Sequence, residues 1–131
     1  YGNIFGITLG YWMIPGAVVF LVGYYFEVVG DRQLKNHVSN PNNKGKLIDT
    51  GLWKFTRHPN YFGEAVIWWG IYFVLLAGGI PWYLIISPIT ITILIRFVSG
   101  VPLLEKRMVK YNGWTEYAAK TSIFIPFLKK R

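Results

Sequence analysis

Residues 65–95 read AVIWWGIYFVLLAGGIPWYLIISPITITILI, a run without a single charged side chain between Glu64 and Arg96. A membrane-spanning α-helix needs about 20 consecutive apolar residues, so this run is too long for one helix. The segment Gly78-Gly79-Ile80-Pro81 interrupts it, and glycine and proline are the residues that most often end a helix. The run therefore predicts two antiparallel membrane helices, at about 59–77 and 81–98, joined by an uncharged turn.

A second charge-free stretch precedes the first charged residue, Glu27, and predicts a further membrane helix at about 4–29. Charged residues make up 15% of the chain, against about 25% in typical soluble domains. The chain contains no cysteine, which excludes a disulfide scaffold. We expect an all-α polytopic membrane protein with about three transmembrane helices and a cytoplasmic amphipathic C-terminal helix.

The net charge of +8 is explained by topology, because all 14 Lys and Arg residues fall in two blocks, 32–57 and 96–131. If each predicted helix crosses once, both blocks lie on one side, and the positive-inside rule places loop 31–58 and tail 103–131 in the cytoplasm. We expect an integral protein of the bacterial inner membrane or the endoplasmic reticulum, with membrane lipids and not nucleic acid as partners. We expect residues 1–131 to form a single membrane domain, and the absence of an initial Met leaves open that they are the C-terminal part of a longer protein.

The tail mixes apolar and charged residues at helical spacing between 103 and 120. This pattern is typical of an amphipathic helix lying at the membrane surface. Asn112-Gly113 predicts a break within it.

Glu64 lies one turn inside a predicted membrane helix, where a carboxylate costs on the order of 3 kcal/mol on insertion scales. Arg96 is expected at nearly the same depth on the neighbouring helix, so one interpretation is a structural ion pair. The other is a carboxylate that binds a ligand. Asn60, Glu64 and Trp68 are spaced by four and share a helix face, which favours the second interpretation.

Arg57 and His58 precede Pro59, which suits the first position of a helix. The free N–H groups of such a helix start attract anions. Alternatively, these basic side chains only anchor the helix at lipid headgroups. If the region binds a cofactor, Arg57, His58 and Glu64 should line one cavity.

Two further acids, Glu27 and Asp31, lie four residues apart at the end of the first predicted helix. They are either solvated or positioned to reach the ribose or amino groups of a nucleotide. With two histidines and no cysteine, the sequence contains no zinc-site spacing, and we predict no metal site. It contains no phosphate-binding glycine loop either.

Six segments carry a resemblance to a known family: DRQLK at 31–35, NNKGK at 42–46, TGLW at 50–53, RHPNYFGE at 57–64, VPLLE at 101–105 and FIPF at 124–127. Together they resemble the C-terminal half of the steroid 5-alpha-reductase-like membrane proteins, and among these the bacterial DUF1295 proteins, over about residues 24–127. The superfamily has two chemistries. One branch reduces steroids and sterols with NADPH, and the other comprises isoprenylcysteine carboxyl methyltransferases that use S-adenosylmethionine.

The resemblance implies that nine residues bind the cofactor: Asp31, Lys35, Arg57, His58, Asn60, Tyr61, Glu64, Glu105 and Tyr117. It assigns no catalytic residue, because the acid of the reductases lies on N-terminal helices without a counterpart in these 131 residues. Steroid reductases also tend to carry His at the position of Glu105.

Three functional hypotheses follow. The first is an integral membrane oxidoreductase that reduces a carbon–carbon double bond of a steroid- or lipid-like enone with NADPH. The second is an S-adenosylmethionine-dependent methyltransferase of a lipid or prenyl substrate. The third is a non-catalytic membrane subunit, in which Glu64 and Arg96 pair only with each other. Both enzymes would take a hydrophobic small-molecule substrate, and the oligomeric state stays open.

Overall fold

The computed structural model describes residues 7–126, with side chains from Tyr11 onward. The predicted helix start at 4 and the tail residues 127–131 lie outside the described residues. The α-helices are α1 (Ile7–Ser39), α2 (Pro59–Ala77), α3 (Ile86–Ile93), α4 (Val101–Met108) and α5 (Trp114–Lys120). Three segments are long and apolar enough to cross a membrane: Tyr11–Ser39, Pro59–Ala77 and Trp82–Met108. The predicted all-α polytopic architecture is confirmed.

The first helix is longer than predicted. It continues through 31–39, which the sequence analysis assigned to the loop, and ends at Ser39. The charged residues mark where the apolar surface stops, but Arg, Gln, Leu and Lys are good helix formers and do not end the helix. The end comes at Asn40-Pro41, where Asn40 caps a following 3-10 turn through its side chain.

The third apolar segment is helical but irregular. It opens with a 3-10 turn at Trp82–Ile85, continues as α3 and then widens into a π-helical turn at Leu94–Val98. The backbone bends at Ser99-Gly100 before α4 begins, so part of the predicted tail helix belongs to this segment. The tail breaks before α5 at Gly113, whose φ of +86° is the left-handed conformation that glycine adopts most readily.

Helices α1 and α2 pack through a row of glycines. Gly16, Gly23 and Gly30 recur every seven residues on α1, and Gly63 and Gly70 do so on α2. A Cβ atom on Gly16 would lie 2.6 Å from the backbone nitrogen of Val74, and one on Gly23 would lie 2.6 Å from that of Ile67. Small residues at such spacing let two membrane helices approach closely. We call this contact the glycine seam.

Hydrogen bonds fasten the connection between α1 and α2 to α1 and to the C-terminal segment. Trp53, in the 3-10 turn Gly51–Lys54, donates its indole N–H to the Gly30 carbonyl at 3.1 Å. The C-terminal segment returns alongside, since the Thr56 hydroxyl donates to the Phe124 carbonyl at 2.7 Å. These contacts fix the start of α2 between α1 and the C-terminal segment.

Candidate functional site

The first group of predicted residues is an ion-paired cluster at the start of α2, which we call the inner cluster: Arg57, His58 and Glu105. Arg57 Nη1 lies 3.1 Å from Glu105 Oε1, and His58 Nε2 lies 2.6 Å from Glu105 Oε2. One carboxylate of α4 therefore holds both basic groups that precede α2, across 47 and 48 residues of sequence.

Burial governs the protonation of the inner cluster. His58 is 0% exposed, and burial lowers its pKa although Glu105 acts in the opposite direction. A neutral His58 donates Nε2–H to Glu105, which leaves Nδ1 as an acceptor. Nδ1 is buried and has no hydrogen-bond partner within residues 7–126. Burial also lowers the pKa of Arg57, which remains charged beside Glu105.

The C-terminal segment holds Arg57 through hydrogen bonds. Arg57 Nε donates to the Thr121 carbonyl at 3.2 Å, and its backbone N–H donates to the Ser122 carbonyl at 2.8 Å. The guanidinium carbon lies 5.4 Å from the centroid of the Trp114 ring, within the range of a cation–π contact. The Tyr117 hydroxyl donates to the Trp53 carbonyl at 2.6 Å, and burial raises the pKa of Tyr117 far above its ordinary value.

The second group lies where α1 and α2 meet, and we call it the acidic face: Glu27, Asp31, Asn60, Tyr61 and Glu64. Asn60 Nδ2 donates to Asp31 Oδ1 at 3.0 Å, and Asn60 Oδ1 accepts the backbone N–H of Tyr61 at 2.9 Å. Glu27 interacts electrostatically with both Glu64 and Asp31. Asp31 is exposed, and Asn60, Tyr61 and Glu64 are half-buried, so protein atoms leave this face partly open.

The interpretation of Glu64 and Arg96 as an ion pair is wrong. Within the part of the chain that the structure describes, ion pairs are made by Glu105 and not by Glu64. The Arg96 guanidinium instead lies 4.6 Å from the centroid of the Phe97 ring. Equal depth in a membrane does not fix the direction in which a side chain points around its helix, and the π-helical turn rotates Arg96 relative to a regular helix.

The nine predicted residues fall into two adjoining groups and one separate residue. Arg57, His58 and Glu105 form the inner cluster, with Tyr117 close to Arg57. Asp31, Asn60, Tyr61 and Glu64 belong to the acidic face, and the two groups meet where the ring centroids of His58 and Tyr61 lie 6.0 Å apart. Lys35 is exposed on α1.

Three cavities of about 620, 510 and 450 Å³ occur within residues 11–126. None of these three is lined by Arg57, His58 and Glu64 together, so the expected common cavity is not found among them. The smallest is lined by Tyr117, Lys54 and Lys120 among others.

Sequence reasoning missed the role of Thr56. It is 0% exposed, its Oγ1 lies 3.2 Å from the backbone nitrogen of His58, and its hydroxyl reaches Phe124. It stands directly before Arg57 in a polar stretch, but its partner lies 68 residues away. No local signal in the sequence connects the two segments.

Comparison with known proteins identifies the family of this chain and three relatives. The family model of DUF1295, a protein family of unknown function, matches residues 3–121. Steroid 5-alpha-reductase DET2 of Arabidopsis thaliana is 40% identical over 58 residues, which cover 44% of this chain and 22% of that protein. The probable O-methyltransferase ustE of Ustilaginoidea virens is 35% identical over 68 residues, which cover 52% of this chain and 23% of that protein.

Methanethiol S-methyltransferase 1 of Bradyrhizobium diazoefficiens is 30% identical over 124 residues, which cover 92% of this chain and 40% of that protein. The chain thus spans less than half the length of the curated relatives that it matches. No solved structure matches the chain significantly.

Proposed function

This chain belongs to the DUF1295 family, and from that premise we propose that it is the cofactor-binding part of a membrane methyltransferase. The cofactor would be S-adenosylmethionine, and the acceptor would be an apolar molecule carrying a thiol or hydroxyl group. The observation that carries this proposal is the charge of the acidic face, which combines three carboxylates with aromatic rings at a partly open position.

The charge of the acidic face fits a cationic ligand. S-adenosylmethionine carries a sulfonium and an ammonium group, whereas NADPH carries several negatively charged phosphates. Glu27, Asp31 and Glu64 attract positive groups, and Tyr61 with the exposed ring of Trp68 offers aromatic faces that suit a sulfonium. Near the edge of a membrane, the low dielectric strengthens this preference.

A carboxylate reduces the positive charge of the inner cluster. Arg57 is already paired with Glu105, and His58 is fully buried with its pKa lowered. Arg96, which interacts electrostatically with Arg57 and His58, is the remaining positive charge beside the motif that suggested an anion site.

We assign roles to the chain's own residues on this basis. Asp31 and Glu64 would hold the positive groups of the cofactor, and Asn60 fixes the orientation of the Asp31 carboxylate. The inner cluster fixes where α2 starts and thereby places Asn60 and Glu64. When bound, S-adenosylmethionine supplies an electrophilic methyl group. The apolar acceptor molecule that receives this group would enter from the membrane.

The NADPH-dependent reductase, which the sequence analysis placed first, is the second candidate. It is favoured by the 40% identity to a steroid 5-alpha-reductase over 58 residues. We place the methyltransferase before the reductase for two reasons. A methyltransferase matches over 92% of the chain, and the acidic face suits a cationic cofactor.

Ligand binding to the purified protein in detergent distinguishes the hypotheses. Calorimetry and thermal unfolding would be measured with S-adenosylmethionine, its demethylated product S-adenosylhomocysteine, and NADPH. We expect the first two to bind and raise the melting temperature. Stabilisation by NADPH alone would establish the reductase, and stabilisation by none of the three would favour the non-catalytic subunit.

The Glu64→Gln variant tests the assignment of the acidic face. It removes one negative charge at nearly constant shape, and we expect affinity for S-adenosylmethionine to fall roughly tenfold or more. Glu116→Gln, which removes an exposed charge on α5, is the matched control and should bind normally. If both variants keep full affinity, Glu64 is not a ligand residue.

A further inference from the structure

The largest of the three cavities is lined by residues outside both groups of site residues. It has a volume of about 620 Å³ and lies between the C-terminal end of α1, the loop 40–48 and α4. None of the nine residues predicted to bind the cofactor lines it. Its volume falls in the usual range for small-molecule sites.

The lining of this cavity combines positive charge with apolar surface. Its cationic residues are Lys44, Lys46 and Arg107, and His37 adds an imidazole ring. No Asp or Glu is among the lining residues, all of which belong to the described chain. The lining also includes the apolar residues Ile48, Trp53 and Met108, each of them buried.

Hydrogen bonds hold the wall of the cavity in place. The Nε2 atom of His37 lies 2.9 Å from the carbonyl oxygen of Lys46. Because a carbonyl oxygen can only accept a hydrogen bond, Nε2 carries the proton. Asn43 Nδ2 donates to the His37 carbonyl at 3.0 Å, and the Lys46 N–H donates to the Asn43 carbonyl at 2.9 Å. The loop is thereby fastened over the end of α1, which distinguishes it from basic side chains that merely extend into headgroups.

The cavity also lies close to the membrane surface in the predicted topology. It is lined by the C-terminal ends of two of the segments that can cross a membrane, Tyr11–Ser39 and Trp82–Met108. Charged residues begin at Glu27 in the first of these segments and at Arg96 in the second, so both ends lie on the aqueous side of the hydrocarbon region, where the headgroups are. A molecule bound there would place an anionic group against the Lys and Arg residues and its chains toward the apolar residues of the lining and the membrane.

We propose that this cavity binds the anionic headgroup of a membrane phospholipid. Phosphate oxygens accept charge-assisted hydrogen bonds from lysine and arginine side chains. A zwitterionic lipid suits the cavity less well, because the lysine and arginine side chains repel its ammonium group. The site is independent of the proposed methyl transfer, and a lipid bound there would hold the loop 40–48 against the membrane.

Short-chain lipids added to the purified protein in neutral detergent test the proposal. The probes are dioctanoyl phosphatidylglycerol, dioctanoyl phosphatidylcholine and glycerol 3-phosphate. We expect the first to raise the melting temperature and the other two to have little effect. Equal stabilisation by phosphatidylcholine would overturn the proposal, and equal stabilisation by glycerol 3-phosphate would show a site for free phosphate instead.

A matched pair of double variants locates the site. Lys46→Gln with Arg107→Gln removes two charges from the lining, and we expect phosphatidylglycerol to bind roughly tenfold more weakly or worse. Lys106→Gln with Lys110→Gln removes the same charge at exposed positions nearby that do not line the cavity, and should change little. Equal losses in both pairs would show unspecific attraction and contradict the proposal.

Competition separates this cavity from the cofactor. If NADP⁺ displaces phosphatidylglycerol, the cavity belongs to the cofactor and the lipid proposal fails. Binding of S-adenosylmethionine should be unchanged in the Lys46→Gln, Arg107→Gln variant, so failure of one proposal leaves the other intact.

Discussion

At the residue scale, Glu105 is the side chain on which the start of α2 depends. It accepts from Arg57 and from His58, and both basic groups are almost completely buried. A buried charge without its partner is far more costly than an exposed one. Glu105 therefore stabilises the arrangement chiefly because it prevents Arg57 from being buried alone.

Replacing Glu105 by alanine should destabilise the protein by about 3 kcal/mol, because Arg57 loses its counter-charge and His58 its acceptor. Unfolding in detergent, followed by circular dichroism, measures the effect. Glu116→Ala serves as the control and should stay within about 0.5 kcal/mol of the parent. A similar small change for Glu105→Ala would show that the inner cluster does not stabilise the fold.

The lowered pKa of His58 predicts a pH dependence of stability. In the unfolded chain a histidine takes up a proton near pH 6.5, whereas the folded protein resists protonation of His58. Its contribution to stability is therefore complete above about pH 6.5 and declines as the pH falls toward the lowered value.

Melting temperatures between pH 5 and 8 measure this dependence. The His58→Gln variant should show a flatter profile below pH 6.5, even if its melting temperature is lower throughout. If the melting temperature of the parent instead falls more steeply above pH 6.5 than below it, His58 is not the group responsible for the pH dependence.

At the scale of elements, the glycine seam determines how α1 and α2 meet. The closest approach involves Gly63, where an added Cβ would collide with the backbone of Gly23 and Glu27. Most of the contact between helices in the described chain is between α1 and α2. The seam thus also sets the spacing of Glu27 and Glu64 on the acidic face.

Gly63→Ala should destabilise the protein by about 1–3 kcal/mol, because overpacking outweighs the gain in helix propensity that alanine brings. Thermal unfolding in detergent measures it. Val22→Leu enlarges a side chain on the exposed surface of α1 and should have little effect. Equal melting temperatures for Gly63→Ala and the parent would show that the helices are not in close contact there.

The sequence allowed prediction of the elements but not of their partners. The three spans follow from charge-free runs of sufficient length, which are local properties. The end of α1 was misplaced because charge marks the edge of the membrane and not the end of a helix. The glycine spacing was present in the sequence, but the partner helix that gives it meaning is some 40 residues away.

The site was predicted less well for a related reason. A cofactor-binding role was assigned to Glu105 through a family resemblance, and its contact with Arg57 spans 48 residues. The expected pairing of Glu64 with Arg96 rested on depth alone, which leaves the orientation around each helix undetermined. Orientation depends on the π-helical turn, for which the sequence shows no distinct signal.

At the scale of the whole molecule, the topology remains a prediction. The basic residues lie between 32 and 57 and beyond α3, and the turn at 78–81 is uncharged. The positive-inside rule places the former in the cytoplasm. The cavity and the inner cluster would then face the cytoplasm together.

The absence of cysteine makes this topology directly testable. We expect a membrane-impermeant maleimide to label Trp82→Cys in intact cells, since residue 82 is exposed beside the uncharged turn. Lys44→Cys should be labelled only after the membrane is permeabilised. The reverse pattern would invert the predicted orientation.

The π-helical turn at Leu94–Val98 determines the direction in which the side chains after it point around the helix axis. The Ser99 N–H donates to the Leu94 carbonyl, five residues earlier, so this turn holds one residue more than a regular helix. Loss of that extra residue would leave a regular helical turn, whereas one more residue inserted into α3 would rotate everything after it by about 100°. Contacts with hydrocarbon would hardly change on such an insertion, but the carboxylate of Glu105, seven residues beyond the turn, would move away from His58 and Arg57.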